Sequence, residues 1–168
     1  MRAVIEEQFR EFAAVAIPLL RRMALALCRD PHRADDLVQT TLEKMYGAWP
    51  RVHEVEDPHA YARTVLVRAL ISEQRRHWWT REHSTADAGE REVAAAEHLD
   101  DRLDLRAALG SLPPRQRMAV VLRHLEDLSV GEVAVLMACS EGTVKSTTSD
   151  GLRALRAVLA PVTSEGKQ

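Results

Sequence analysis

Apolar residues recur at helical spacing along almost the whole chain, and breaks in that rhythm divide it into helices. Residues 4–28 form a first segment, with Phe9, Phe12, Ala13, Ala16, Leu20, Met23, Ala24 and Leu27 on one side. Pro18 lies inside it and is expected to kink the helix or break it in two. Asp30-Pro31 then opens a second helix, with aspartate as cap and proline in the first turn. Ala34, Leu37, Val38, Thr41, Leu42 and Met45 make its buried side as far as Tyr46, where Gly47 and Trp49-Pro50 should stop it. A polar loop is expected over 50–56. Asp57-Pro58 repeats the cap-plus-proline start, and a third helix with Tyr61, Val65, Leu66, Ala69 and Leu70 runs to Trp78 or Trp79. Three helices with short loops predict a small bundle.

The rhythm then fails. From Glu82 to Asp104 there are eight acids against Arg91 and Arg102, with little apolar content in the first half. Such a stretch reads as a mobile linker over residues 80–100. A flexible segment of about 20 residues spans roughly 25 Å on average, so the two halves of the chain can act at separated points. Helical spacing resumes with Leu103, Leu105, Ala108, Leu109 and Leu112, and Gly110-Ser111 and Pro113-Pro114 mark the next boundary. Ser129 to Glu132 is S-x-x-E ahead of an apolar run, which is the pattern of a capping box. Val130, Val133, Ala134 and Met137 follow on one face. After a tight connection at Ala138-Cys139-Ser140, a last helix places Val144, Leu152, Leu155 and Leu159 on its apolar side. The expected division is 1–79, a linker 80–100, a second domain 101–160 and a polar tail 161–168.

Composition agrees with an all-α architecture of two small helical domains. Hydrophobic residues make up 46% of the 168 positions but aromatics only 4%, too few for a β-rich core. The net charge of −2 excludes a generally basic nucleic-acid coat, so any affinity for nucleic acid must sit in local patches. Cys28 and Cys139 are far apart and belong to no C-x-x-C pair; they read as reduced thiols, and no metal or cofactor is expected. Early acids and Pro18 argue against a signal peptide, and no apolar run reaches membrane-spanning length, so a soluble, cytoplasmic protein is expected. No phosphate loop, catalytic triad or converging carboxylate pair suggests an enzyme.

The chemistry that remains is recognition. A short helix, a tight turn and a longer helix bearing Lys145, Ser146, Thr148, Ser149 and Arg153 make a helix-turn-helix whose last helix would lie in a DNA major groove. A helical hairpin of purely structural role has tight turns too, but the capping box and the polar start of the last helix favour DNA. Arg123, one helix earlier, is placed to meet the DNA backbone. The end of the third helix, Arg75-Arg76-His77-Trp78-Trp79, combines cations with aromatic planes, which suits unpaired bases better than duplex. Asp35 and Asp36 diverge by about 100° on a helix; with Gln39 they fit a protein-docking face.

In order along the chain, ADDLVQTTLEKMYGAW, HAYARTVLVRALISEQRRHWW, an acidic linker and LGSLPPRQRMAVVLRHLEDLSVGEVAVLMACSEGTVKS resemble the bacterial extracytoplasmic-function (group 4) sigma factors, the small actinobacterial type in particular. The resemblance covers residues 5–159. It implies a region 2 (about 5–79) and a region 4 (about 101–159) on a flexible tether. Asp35, Asp36, Gln39, Thr40 and Lys44 would dock on the β′ clamp helices of core RNA polymerase. Arg63, Arg68, Arg75, Arg76 and Trp78 would contact the −10 promoter strand. Lys145, Ser146, Thr148, Ser149 and Arg153 would read the −35 element, with Arg123 on its backbone, while region 4 rests on the β flap. An anti-sigma partner is a further implication.

Two positions depart from the family pattern. Many relatives carry Asn where Arg68 stands, which points to an unusual −10 preference. Many also carry arginine at the places held here by Thr147 and Asp150, so a weak or polymerase-dependent −35 contact is expected. Two other readings share these residues: a stand-alone helix-turn-helix regulator, which would footprint an operator without polymerase, and a sigma-like decoy, which would bind polymerase without initiating.

Overall fold

The computed structural model describes residues 1–83 and 101–160, with side chains described except at 78–83 and 101–103. Every regular element among them is helical, and they fall into two compact units, one on each side of residues 84–100. The expected linker therefore lies outside the described residues, apart from 80–83, which continue a helix.

The first unit holds α1 (Arg2–Leu27), α2 (Pro31–Val52) and α3 (Pro58–His83). Both aspartate caps form as the local pattern requires: Asp30 Oδ1 accepts from the His32 amide at 2.9 Å and Asp57 Oδ1 from the Ala60 amide at 2.9 Å. The core is drawn from Phe12, Ala16, Leu20 and Met23 of α1, Leu37 and Met45 of α2, and Leu66, Val67 and Leu70 of α3, all buried. The hydroxyl of buried Thr41 donates to the Leu37 carbonyl at 2.8 Å, which lets a polar residue sit in that core.

Two expected breaks are absent. α1 runs through Pro18 as one helix. Ala14 and Pro18 are both exposed, so the carbonyl that proline leaves without its amide partner faces water. α2 passes Gly47 and Pro50 and ends only at Val52, which shortens the expected 50–56 loop by residues 50–52. The reason is tertiary. Trp49 and Val52 are about 95% buried, and the Trp49 ring packs 4.8 Å from Phe12 and 5.4 Å from Phe9. Burying two such side chains contributes about 1.5–3 kcal/mol each, enough to offset the roughly 3 kcal/mol of an internal proline.

The second unit holds α4 (Asp101–Ser111), α5 (Pro114–Val120) continued by a π-helical turn (Val121–Leu125), α6 (Val130–Met137) and α7 (Glu141–Leu159). α7 packs against α4, α5 and α6 and so forms the spine of the unit. At Gly151 it runs so close to α5 that a Cβ would stand 2.7 Å from Val120 Cγ2 and 3.2 Å from the Gln116 carbonyl oxygen. Buried Arg117 ties α5 to the end of α4: its Nε donates to the Leu109 carbonyl at 2.9 Å, and its Nη2 to those of Leu112 at 2.9 Å and Gly110 at 3.3 Å. They lie at the end of α4, where the Leu109 carbonyl also accepts from the Leu112 amide at 3.1 Å.

Candidate nucleic-acid interface

The α6–α7 pair has the turn that the motif requires. Ser129 Oγ accepts from the Glu132 amide at 3.2 Å while Glu132 Oε2 accepts from the Ser129 amide at 2.7 Å, closing the capping box. α6 ends at Ala138, whose φ of 52° and ψ of 49° are left-handed, and the Cys139 amide bonds back to the Ala134 carbonyl at 3.1 Å. That geometry reverses the chain in three residues. Ser140 Oγ then caps α7 by accepting from the Thr143 amide at 3.1 Å.

On α7, Lys145, Ser146, Ser149 and Arg153 share one exposed face, spread over about 100° of the helix circumference. Thr148 does not join them. It lies about 60° to the far side of Lys145 and is only 8% exposed, so its hydroxyl cannot present itself to a base edge, and the expectation for it is corrected here. The cause is the inward stripe, which is Val144, Thr148 and Gly151 rather than the leucines alone; Leu152 is only half-buried and Leu159 is 47% exposed. Asp150 sits at the edge of the outward face and holds Arg153 through a 3.4 Å ion pair between exposed groups. Ser146 Oγ donates to the Thr143 carbonyl at 3.1 Å and keeps its lone pairs outward. Arg123, in the π-helical turn, donates from Nη1 to the Leu128 carbonyl and clasps the loop leading into α6.

Beside the Lys145 edge of α7 lies a cavity of about 280 Å³ lined by Arg123, His124, Lys145, Thr148, Ser149 and Arg156, among others. Arg156 and His124 escaped the sequence reading. The spacing 145, 149, 152, 156 was the available signal, because those positions stack on one side of a helix.

The α3 set divides. Arg68 and Arg75 lie seven residues apart on one exposed stripe, with Tyr61 at one end and Ser72 between them. Tyr61, 41% exposed, adds a ring to the stripe that the basic-aromatic run alone did not reveal. Arg63 points about 140° away from Arg68 and is half-buried, held by contacts of its own. Arg76 turns toward α2, into a cavity of about 500 Å³ with Arg33, Asp36, Glu73 and His77, where Arg33 and Glu73 pair at 3.6 Å. The side chain of Trp78 lies outside the described residues.

On α2, Asp36, Gln39, Thr40 and Glu43 share a face, with Lys44 at its margin and Thr40 half-buried. Gln39 Nε2 donates to Glu43 Oε1 at 3.3 Å, which brings Glu43 into a group from which it was missing. Asp35 is turned aside and paired with Arg21 of α1 at 2.9 Å. Among the described residues no grouping of histidine, cysteine and carboxylate side chains could hold a metal ion.

Two family profiles match the chain, one in each unit. The profile of Sigma-70 region 2 matches residues 15–80, which takes in the second half of α1 and all of α2, with α3 to Thr80. That of Sigma-70, region 4, matches residues 102–155 and includes the whole turn between α6 and α7. The RNA polymerase sigma-E factor of Streptomyces coelicolor is 36% identical over 154 residues, covering 89% of this chain and 84% of that protein. The ECF RNA polymerase sigma factor SigL of Mycobacterium tuberculosis is 32% identical over 165 residues, covering 94% and 89%. Among solved structures, the sigma factor RpoE of Bartonella quintana, in complex with the anti-sigma factor NepR, superposes with a TM-score of 0.67 at 27% identity over 90% of this chain and 96% of that one. With both region profiles in order and such relatives along nearly its full length, the chain belongs to the extracytoplasmic-function sigma factors of the sigma-70 family.

Proposed function

We infer that the protein binds core RNA polymerase and directs promoter-specific initiation, with its first unit at the −10 element and its second at the −35 element. The observation that carries this reading is one chain bearing two dissimilar exposed polar faces: the Tyr61–Arg68–Arg75 stripe on α3 and the Lys145–Ser146–Ser149–Arg153 face on α7. A ring and guanidinium planes on one helix suit unstacked bases, while small hydroxyls and a cation on a helix after a tight turn suit duplex. Asp36, Gln39, Thr40, Glu43 and Lys44 of α2 form the polymerase-docking face in this scheme. The Asp150–Arg153 pair withdraws a cation from the −35 surface, so the −35 grip depends on polymerase holding the domain in place. The site of action is the cytoplasm, where polymerase and promoter meet, and no described helix is long and apolar enough to cross a membrane. An anti-sigma partner is part of the proposal, because the Bartonella sigma factor was captured with one.

The test is in vitro transcription from a genomic fragment pool by core polymerase, with and without the protein. Discrete start sites that require the protein support the reading. Polymerase binding without initiation indicates a decoy, and an operator footprint without polymerase indicates a stand-alone regulator.

A further inference from the structure

The C-terminal third of α3 carries Arg75 and Arg76 yet has little apolar packing to hold it on the bundle. Buried side chains run along the helix as far as Leu70, and from Ile71 to His77 every residue is half-buried or exposed. Between this stretch and the start of α2 lies the cavity of about 500 Å³, whose described lining is Arg33, Asp36, Glu73, Arg76 and His77, with no apolar side chain among them. Hydrophobic contact therefore does not set the direction of α3 here. An ion pair does cross the gap: Arg33 Nε stands 3.6 Å from Glu73 Oε2, with the two side chains 46% and 29% exposed. Glu73 lies about 160° round the helix from Arg75, so the pair grips α3 on the side opposite its exposed stripe. Arg33 precedes Asp36 by one helical turn, so the start of α2 that offers Asp36 to polymerase also carries the other end of the pair. Neither Arg33 nor Glu73 belongs to either proposed contact face.

We propose that Arg33 and Glu73 are a positioning pair for promoter opening, which fixes the C-terminal third of α3 against the docking helix and so aims Arg75 at the unpaired −10 strand. The role rests on the sigma reading. Neither residue touches DNA or polymerase in this scheme; each acts through α3. Arg75 lies about 8 Å along the helix from Leu70, the last buried residue, so a tilt of about 15° displaces it by about 2 Å. That is enough to take a side-chain donor out of hydrogen-bond reach. Polymerase, by holding the start of α2, holds the Arg33 end of the strut as well. Simple charge makes the opposite forecast for Glu73. It is an acid two residues from Arg75, and its neutralisation should strengthen the hold on a polyanion, whereas loss of the strut should weaken it.

The experiment uses holoenzyme reconstituted from core polymerase and the full chain, on a promoter fragment recovered from the transcription pool, with a fluorescent base analogue in the −10 element to report strand opening. Glu73→Gln is expected to slow opening at saturating holoenzyme about threefold, the scale of a partly exposed ion pair, while closed-complex affinity and binding to core polymerase stay within about twofold. Arg33→Glu alone and Glu73→Arg alone should each slow opening by about threefold or more, and the two together should recover most of the rate. In the free chain, amide exchange at Gln74–His77 should quicken about threefold in Glu73→Gln and stay unchanged at Leu66–Leu70. Opening by Glu73→Gln at the wild-type rate or faster, as loss of a negative charge beside DNA would give, overturns the proposal. So does a double reversal that opens no faster than either single one. Faster exchange throughout the first unit would show a merely structural role, and weaker binding of Glu73→Gln to core polymerase would show a docking contact; either result overturns it. Absence of initiation by the wild type would refute the sigma reading instead, a result separable from all of these.

Discussion

Replacing Gly151 by alanine tests how closely α7 must lie on α5. In an ordinary helix interior this exchange is favourable by about 1 kcal/mol, since alanine loses less backbone freedom. At Gly151 the new Cβ would stand 2.7 Å from Val120 Cγ2, 3.2 Å from the Gln116 carbonyl oxygen and 3.3 Å from Gln116 Cβ. Carbon atoms settle at about 3.5–4.0 Å, so α5 and α7 would have to separate by about 1 Å. Val120 cannot yield instead: it is 1% exposed, and a helical valine has one favoured rotamer. Overpacking of this kind costs about 1–3 kcal/mol. After the helical gain is subtracted, a net effect between about zero and a loss of about 2 kcal/mol is expected, in place of the ordinary gain. Gly47→Ala is the chemical control, because its Cβ would meet nothing within 4 Å on an exposed face of α2, and it should gain about 0.5–1 kcal/mol. The assay is urea unfolding of the full chain, followed by amide exchange at Val120–Leu122 for the second unit and at Leu37–Thr41 for the first. Destabilisation should be confined to the second unit for Gly151→Ala and stabilisation to the first for Gly47→Ala. Equal stabilisation by both would refute the close-approach argument.

Other substitutions probe separate links. Ala138→Gly relieves the left-handed backbone at φ 52° and should stabilise the second unit by about 0.5–1 kcal/mol in the same unfolding measurement, the unfolded-state cost of glycine being smaller than the strain removed. Arg117→Met deletes the guanidinium shared by two α4 carbonyls and that of Leu112 just beyond, and should cost about 2–4 kcal/mol, read as lost exchange protection in α4 and α5. Asp150→Arg removes the partner of Arg153 and adds a cation; holoenzyme binding should tighten about tenfold at low salt, with a slope against log salt steeper by about one. Tyr61→Ala should lower open-complex formation several-fold while leaving binding to core polymerase unchanged, as judged by permanganate reactivity and co-elution.

What could be read in the sequence was whatever depends on a few adjacent residues. The caps at Asp30, Asp57, Ser129 and Ser140 all form, because a side chain meeting an amide two or three residues on needs no tertiary help. The end of α2 was not legible: Gly47 and Pro50 are local stop signals, and they lose to the burial of Trp49 against a different helix. The inward stripe of α7 was hidden for a related reason. Gly151 carries no apolar signal, yet α5 passes it too closely for a Cβ, so periodicity placed the face on Val144 and the leucines and left Thr148 outside. Arg117 misleads in the opposite way, a cation that counts as surface in any hydropathy pattern and is 6% exposed in the fold. The α3 surface was half legible, since charge marks Arg68 and Arg75 while only a seven-residue repeat adds Tyr61.

The closed capping box at the start of α6 bears on how this protein line can change. A helix start is ordinarily a ready anion site, but here Glu132 already places its own carboxylate on the Ser129 amide at 2.7 Å. Backbone phosphate is therefore turned away from the α6 entrance, and in the proposed scheme the hold falls to side chains on the exposed face of α7 such as Lys145 and Arg153. None of these exposed groups lies in the buried core. Grip and foldedness are thus separately heritable in this unit: lineages can strengthen or relax their hold on a promoter by exchanging one surface residue at a time, while the scaffold that aims α7 is passed on intact.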